Sequence, residues 1–350
     1  MNASANTIPV GILGASGYTG AELVRLLAHH PNVDIQLVTA DRRAGEAMGD
    51  VFPHLAGVGL PALSRLEDAD FSGLETVFLG LPHGNTQEVV MGLPGHLRVI
   101  DLSADFRLAD TDAYAQWYGH EHRAPKLQAD AVYGLTELNR EAIAAARIIA
   151  NPGCYPTASL LPLVPLVEAG LIATEDIIID AKSGVSGAGR AEREANLFAE
   201  VSEGIHAYGV AHHRHAPEIE QGLSEAAGGD VMVSFTPHLV PMNRGILCTI
   251  YVRLNDGAGV SDLRAELQAR YGGEAFVAVT PQGVAPATRH VRGSNHCLIG
   301  IFADRLEGRA ILISAIDNLV KGGSGQAVQN FNLVSGLDES TALEQVPLFP

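Results

Sequence analysis

The chain has 350 residues, 47% hydrophobic and 18% charged. That is enough for about two domains at roughly 150 residues each, and it excludes a disordered or collagen-like polymer. With 23 Lys+Arg against 40 Asp+Glu the formal net charge is −17, a field that repels nucleic acid and anionic lipid, so neither is expected as a partner.

The start, MNASANTIPVGIL, has no Lys or Arg before Arg25 and reads as a short tail without a signal peptide. Ile8–Leu13 is an uninterrupted apolar run, the pattern of a buried parallel strand. A glycine-rich turn follows, then a helix over Ala21–His30 with Leu23, Leu26 and Leu27 on one face. Further strands are expected at Val33–Ala40, Thr76–Leu81, Arg98–Ser103 and Arg147–Asn151. This alternation predicts an α/β domain over residues 1–151, a doubly wound Rossmann-type parallel sheet. The most apolar stretch, Leu160–Val167, holds two prolines and is too short to span a bilayer. Beyond residue 152 successive strands have short links: Asp176–Gly184, two strands flanking Leu239–Gly245, and a hairpin around Glu307-Gly308. They predict a second, α+β domain over 152–316 with a mixed or antiparallel sheet. A last helix is expected from about Asp317 to Leu333, within a segment of about 317–350 that packs back on the first domain.

GASGYTG, Gly14 to Gly20, lies between strand and helix. Glycines there permit a tight turn and bring backbone N–H groups and a helix N-terminus to a pyrophosphate. A dinucleotide site is therefore expected at Gly14, Ser16, Gly17, Tyr18, Thr19 and Gly20, although the spacing is not GxGxxG. The next strand runs into Asp41-Arg42-Arg43. An acidic residue suits a ribose hydroxyl and arginine suits a 2′-phosphate; the two arginines favour NADP(H), and a solvated charged turn is the alternative.

Three cysteines cannot close a disulfide framework, and no two have zinc-ligand spacing, so no metal and a reducing, cytoplasmic setting are expected. Cys248 and Cys297 sit inside apolar strands as small hydrophobes. Cys154 differs: in NPGCYPTA it follows a Pro-Gly turn and opens a helix, whose dipole favours thiolate. It is the candidate nucleophile. His212, His213 and His215 precede a helical pattern near Pro217 and offer an imidazole acid/base. A metal site or a polar turn are the competing readings there, and His83 and His238 also follow strands. Lys321-Gly322-Gly323-Ser324 lacks the order of a P-loop.

With GASGYTG, NPGCYPTA, KSGVSGAG, HRHAPEI, HLVPMNRG and DNLVKGG in this order, the chain resembles the N-acetyl-γ-glutamyl-phosphate reductase family, in the wider group of the aspartate-semialdehyde dehydrogenases. The resemblance runs from about Ile8 to the terminal VPLFP. It implies NADPH-dependent reduction of N-acetyl-L-glutamyl 5-phosphate in arginine biosynthesis, through a thioester on Cys154 with His213 as acid/base, in a dimer or tetramer. The two anionic ligands it implies need local cations in an acidic protein: Arg107, with Ser103 beside it, is the first candidate for the acyl phosphate, and Arg214 and Arg244 are candidates for the substrate carboxylate. Gly184 and Asn318 are assigned to the nicotinamide end, with a helix cap as the alternative for Asn318. Aspartate-semialdehyde dehydrogenase and a carrier-linked aminoadipyl-phosphate reductase are rival enzymes; an NADP-binding sensor without catalysis is the rival from another class.

Overall fold

The computed structural model describes residues 7–349, so residues 1–6 of the expected N-terminal tail lie outside it. The chain divides into two units. One takes the chain through Pro152 and adds Gly323–Glu344; the other holds Gly153–Gly322 and the chain from Gln345.

In the first unit six strands form one sheet: β1 (Ile8–Leu13), β2 (Val33–Val38), β3 (Thr76–Leu79), β4 (Arg98–Asp101), β5 (Ala131–Tyr133) and β6 (Ile148–Ala150). Their order is β2-β1-β3-β4-β6-β5, with every pairing parallel. β3 is buried along its whole length, and the run Val77–Leu79 that follows Thr76 is accordingly apolar. Strand order reverses between β1 and β3, so the crevice at their carboxyl ends is the topological switch point where such sheets bind ligands.

The helix Tyr18–Leu27 begins earlier than the apolar spacing suggests, because the chain turns helical directly after Gly17. It also stops short of His30, whose ring accepts from the Asn32 N–H and meets Asn332 Oδ1 at 2.8 Å. The returning helix, Gly325–Val334, is tied in by buried amides. Asn330 donates to Gly134 O at 2.8 Å and accepts from the Thr136 hydroxyl at 2.8 Å, and Gln329 donates to Glu137 at 3.1 Å.

The second unit carries a mixed seven-stranded sheet: β7 (Ile177–Gly184), β8 (His206–Ala207), β9 (Val233–Val240), β10 (Ile246–Arg253), β11 (Val277–Val279), β12 (Cys297–Ala303) and β13 (Arg309–Ile316). The order is β11-β12-β13-β10-β7-β9-β8; β7–β9 and β11–β12 are parallel and the other pairings antiparallel. The helix Cys154–Glu168 is buried from Tyr155 to Val167, apolar on all sides as a core helix must be. Pro165 has no N–H for Leu161 O, four residues earlier, and the Tyr271 hydroxyl takes that carbonyl at 2.6 Å instead.

The expected final helix does not start at Asp317. The Asp317 carboxylate accepts the N–H groups of Leu319 and Val320, which bends the chain locally. A π-helical turn, Val320–Ser324, then leads into Gly325–Val334. Within residues 317–350, 317–322 and the chain from Gln345 group with the second unit. Asp317 accepts from Gly293 N at 2.7 Å, and Leu348 N donates to Arg292 O at 2.8 Å.

Candidate active site

In the first unit the glycine loop is shaped by steric need. Gly14 has φ +84°, and a Cβ there would lie 2.5 Å from Gly80 O; a Cβ on Gly20 would lie 2.5 Å from Gly14 O. These two positions accept only glycine, whereas Gly17 has room. The helix start at Tyr18 has no side-chain cap and no acidic residue in its first turn, so its backbone donors and positive dipole end suit a phosphate. Ser16 and Thr19 are half-buried and Tyr18 is exposed. The loop thus fits a dinucleotide pyrophosphate. Past β2, Asp41, Arg42 and Arg43 are all exposed, and Arg43 meets Glu46 at 3.2 Å.

Ser103 and Arg107 also lie in the first unit, beyond β4, and both are buried. Ser103 donates its hydroxyl to Asp101 at 2.8 Å, and burial raises the Asp101 carboxyl to about 7. Arg107 donates from Nε to Asn151 O at 2.8 Å and from Nη2 to Leu102 O at 2.9 Å. These bonds fix the guanidinium at the carboxyl ends of β4 and β6.

In the second unit Cys154 is the first residue of its helix and is half-buried, with Gly153 as N-cap. The Gly153 N–H donates to the buried carboxylate of Glu218 at 2.7 Å. None of the three cysteines is in a disulfide, and burial pushes the Cys248 thiol up to about 12, the behaviour of an inert core residue. The ring of Tyr155, next in the chain, stands edge-on to His213 at 5.6 Å, to His215 at 5.8 Å and to Phe235 at 5.2 Å. His213 also meets His215 at 4.9 Å and Tyr208 at 5.4 Å. This aromatic enclosure lowers the His213 pKa to about 4, first by desolvation and then through the charges of Arg214 and His212. His213 is therefore neutral near pH 7. Arg214 and His212 are exposed.

Gly184, Arg244 and Asn318 come together in a second cluster of the same unit. A Cβ on Gly184 would lie 2.8 Å from the Asn243 carbonyl, and Gly184 N donates to Gly245 O at 2.9 Å. Asn318 caps no helix: its Oδ1 accepts from Gly245 N at 2.7 Å and its Nδ2 donates to the Ser186 hydroxyl at 3.0 Å. Arg244 pairs with buried Asp317 at 3.6 Å.

The sequence reading gave no role to Tyr155, Tyr208, Glu218 or Gly322. All four lie within or beside quoted motifs, but nothing in spacing signals a tyrosine pair 53 residues apart. A Cβ on Gly322 would lie 2.8 Å from Cys154 Cβ. Among the described residues no group of three or more His, Cys, Asp or Glu is arranged to hold a metal, and no helix is long and apolar enough to cross a membrane.

Residues 9–146 match the family described as semialdehyde dehydrogenase, NAD binding domain, and residues 154–318 match semialdehyde dehydrogenase, dimerisation domain. An N-acetyl-gamma-glutamyl-phosphate reductase from Rhodospirillum rubrum is 60% identical over 348 residues, 98% of this chain and 99% of that protein. One from Afipia carboxidovorans is 56% identical over 344 residues, 97% and 98% of the two chains. Aspartate semialdehyde dehydrogenase II from Vibrio cholerae shares the fold, with a TM-score of 0.73 at 20% identity over 94% of this chain and 99% of its own. The chain belongs to the N-acetyl-gamma-glutamyl-phosphate reductase family, oxidoreductases built from the two semialdehyde dehydrogenase domains.

Proposed function

We propose that this chain reduces N-acetyl-L-glutamyl 5-phosphate to N-acetyl-L-glutamate 5-semialdehyde, with NADPH as the reductant and Cys154 as the covalent carrier of the acyl group. The observation that carries this reading is the placement of Cys154: a half-buried thiol at a helix N-terminus, next in the chain to Tyr155, whose ring packs edge-on at 5.6 Å against the enclosed, neutral imidazole of His213. The helix dipole stabilises thiolate, and the neutral His213 accepts the thiol proton. Sulfur then attacks the γ-acyl carbon; the S–C bond forms, the C–O bond to phosphorus breaks, and phosphate leaves with that electron pair. When bound, the reduced nicotinamide supplies the hydride that converts the thioester to a hemithioacetal. His213 returns its proton to the developing oxyanion; it takes that proton back as the C–S bond breaks, its electron pair leaving on sulfur, so that the aldehyde is released and the thiolate restored. Dividing phosphate loss from reduction is the gain of the covalent route.

Arg107, held by two backbone carbonyls, is assigned to the acyl phosphate together with Ser103, and Arg214 and Arg244 to the substrate carboxylate. Gly14, Ser16, Gly17, Tyr18, Thr19 and Gly20 hold the pyrophosphate, Arg42 and Arg43 the 2′-phosphate, and Gly184 and Asn318 border the nicotinamide. The matched dimerisation description supports a homo-oligomer, a dimer or tetramer, and the reduced thiol suits the cytoplasm. The test compares phosphate-dependent oxidation of N-acetylglutamate semialdehyde with that of aspartate semialdehyde. The former is expected to be preferred by orders of magnitude, and the reverse preference would refute the substrate assignment.

A further inference from the structure

The two histidines of the cluster are not carried by the helix that bears the thiol. They end a segment that leaves the short edge strand β8 at Ala207 and enters the helix Ala216–Ala227. One residue of this segment is unfavourable in a free-standing chain: Ala211 adopts φ +60°, a region that L side chains rarely enter, and Gly209 turns the chain at +56°. It folds back so closely that a Cβ on Gly209 would lie 3.2 Å from His213 Cβ. Its conformation must be imposed by neighbours.

One such contact joins it to the cysteine helix. The hydroxyls of Tyr155 and Tyr208 are 2.9 Å apart, Tyr155 is only 2% exposed, and Tyr208 N donates to Pro237 O on β9 at 3.0 Å. We infer that Tyr208 is a positioning residue: its hydroxyl bond to Tyr155 fastens the histidine segment to the turn of helix that carries Cys154, and so sets His213 for proton exchange with the thiol. The inference rests on the reading of Cys154 and His213 as the reacting pair. Tyr155 is covalently next to Cys154, and its ring is a shared surface for both imidazoles. The same bond therefore references imidazole and sulfur to one point. Burial keeps both phenols protonated, with Tyr208 pushed up to about 12, so the bond persists across the working pH range. Among the described residues, Tyr155 on its own helix, Tyr208 from the segment and Cys248 from β10 interact with the thiol, Glu218 from the following helix holds the neighbouring Gly153 N–H, and His212, Arg214 and His215 face His213. Replacing a tyrosine by phenylalanine removes one hydroxyl and leaves all the others.

The experiment uses Tyr208→Phe, Tyr155→Phe and the double variant, with steady-state kinetics and the pH dependence of Cys154 alkylation by iodoacetamide. Each single change is expected to lower kcat roughly tenfold to a hundredfold, as loss of near-attack geometry does, with KM for the acyl phosphate within about twofold. The alkylation midpoint is expected to move toward that of an ordinary thiol, about 8.5. The double variant is expected to be no worse than the worse single, because one bond is lost in every case. Wild-type kcat and an unmoved alkylation profile in Tyr208→Phe, or losses that multiply in the double variant, would overturn the inference. A parallel Cys154→Ala separates the two claims: if it is dead while Tyr208→Phe is normal, the nucleophile stands and the positioning role falls.

Discussion

Burial divides the three thiols into two chemistries. Cys248 is sealed and its thiol is pushed up to about 12, whereas Cys154 keeps partial access at a helix start. Cys154→Ala is expected to abolish turnover while dinucleotide binding, followed by fluorescence titration, survives. His213 gives a prediction with a sign. Its folded pKa of about 4 lies below its unfolded value of 6.5, so between these values the unfolded chain binds more protons and stability rises with pH. Above 6.5 the contribution is fully present, and it is lost as pH falls toward 4. Urea midpoints compared at pH 5 and pH 7 should therefore differ less in His213→Asn than in the wild type, and an unchanged difference would place the titration elsewhere. The same variant should lose most of its activity. At Gly322 the steric argument runs against the usual propensity. Alanine in a helical turn ordinarily stabilises by up to about 1 kcal/mol, yet here its Cβ would press on Cys154 at 2.8 Å. Gly322→Ala is expected to lower kcat and slow Cys154 alkylation; wild-type values in both would show that the turn yields freely.

At the scale of elements, the longer strands were legible because burial on both faces demands apolar runs, as at Val77–Leu79, and strands such as Ile246–Arg253 bury every second residue; β5, β8 and β11, of three residues or fewer, are too short to leave such a pattern. The placement of Cys154 at a helix start was legible because Pro152-Gly153 marks a turn and the helix follows at once. The start of the last helix was not, because the decision is made by the Asp317 side chain bonding to Leu319 and Val320 N–H groups rather than by hydrophobic spacing. Nor was the role of Asn318, whose partners Gly245 and Ser186 are remote in sequence. The cysteine helix tolerates Pro165 because Tyr271 supplies the missing donor to Leu161 O. Tyr271→Phe should orphan that buried carbonyl at a cost of about 1–3 kcal/mol, read as a lowered urea midpoint at unchanged slope. A variant as stable as the wild type would mean that water replaces the hydroxyl.

At the scale of the whole molecule, the alternation of strands and helices followed by a run of short-linked strands gave the order of the two units. The last segment was expected as 317–350, whereas the part grouped with the first unit is Gly323–Glu344; its limits depend on contacts that no local pattern encodes, buried amides at Gln329 and Asn330 among them. Cofactor choice belongs to this scale because the acidic chain, at −17, must attract an anion. Replacing Arg42 and Arg43 by alanine is expected to erode preference for NADPH over NADH, measured as the ratio of kcat/KM values; an unchanged ratio would place the 2′-phosphate site on other residues. The most direct measurement of the central claim is intact-protein mass spectrometry after mixing with N-acetyl-L-glutamyl 5-phosphate in the absence of reduced cofactor. A single N-acetylglutamyl adduct on Cys154, with one phosphate released per chain and discharge on adding NADPH, is the predicted result. An unmodified Cys154 under conditions that support turnover once NADPH is added would contradict it.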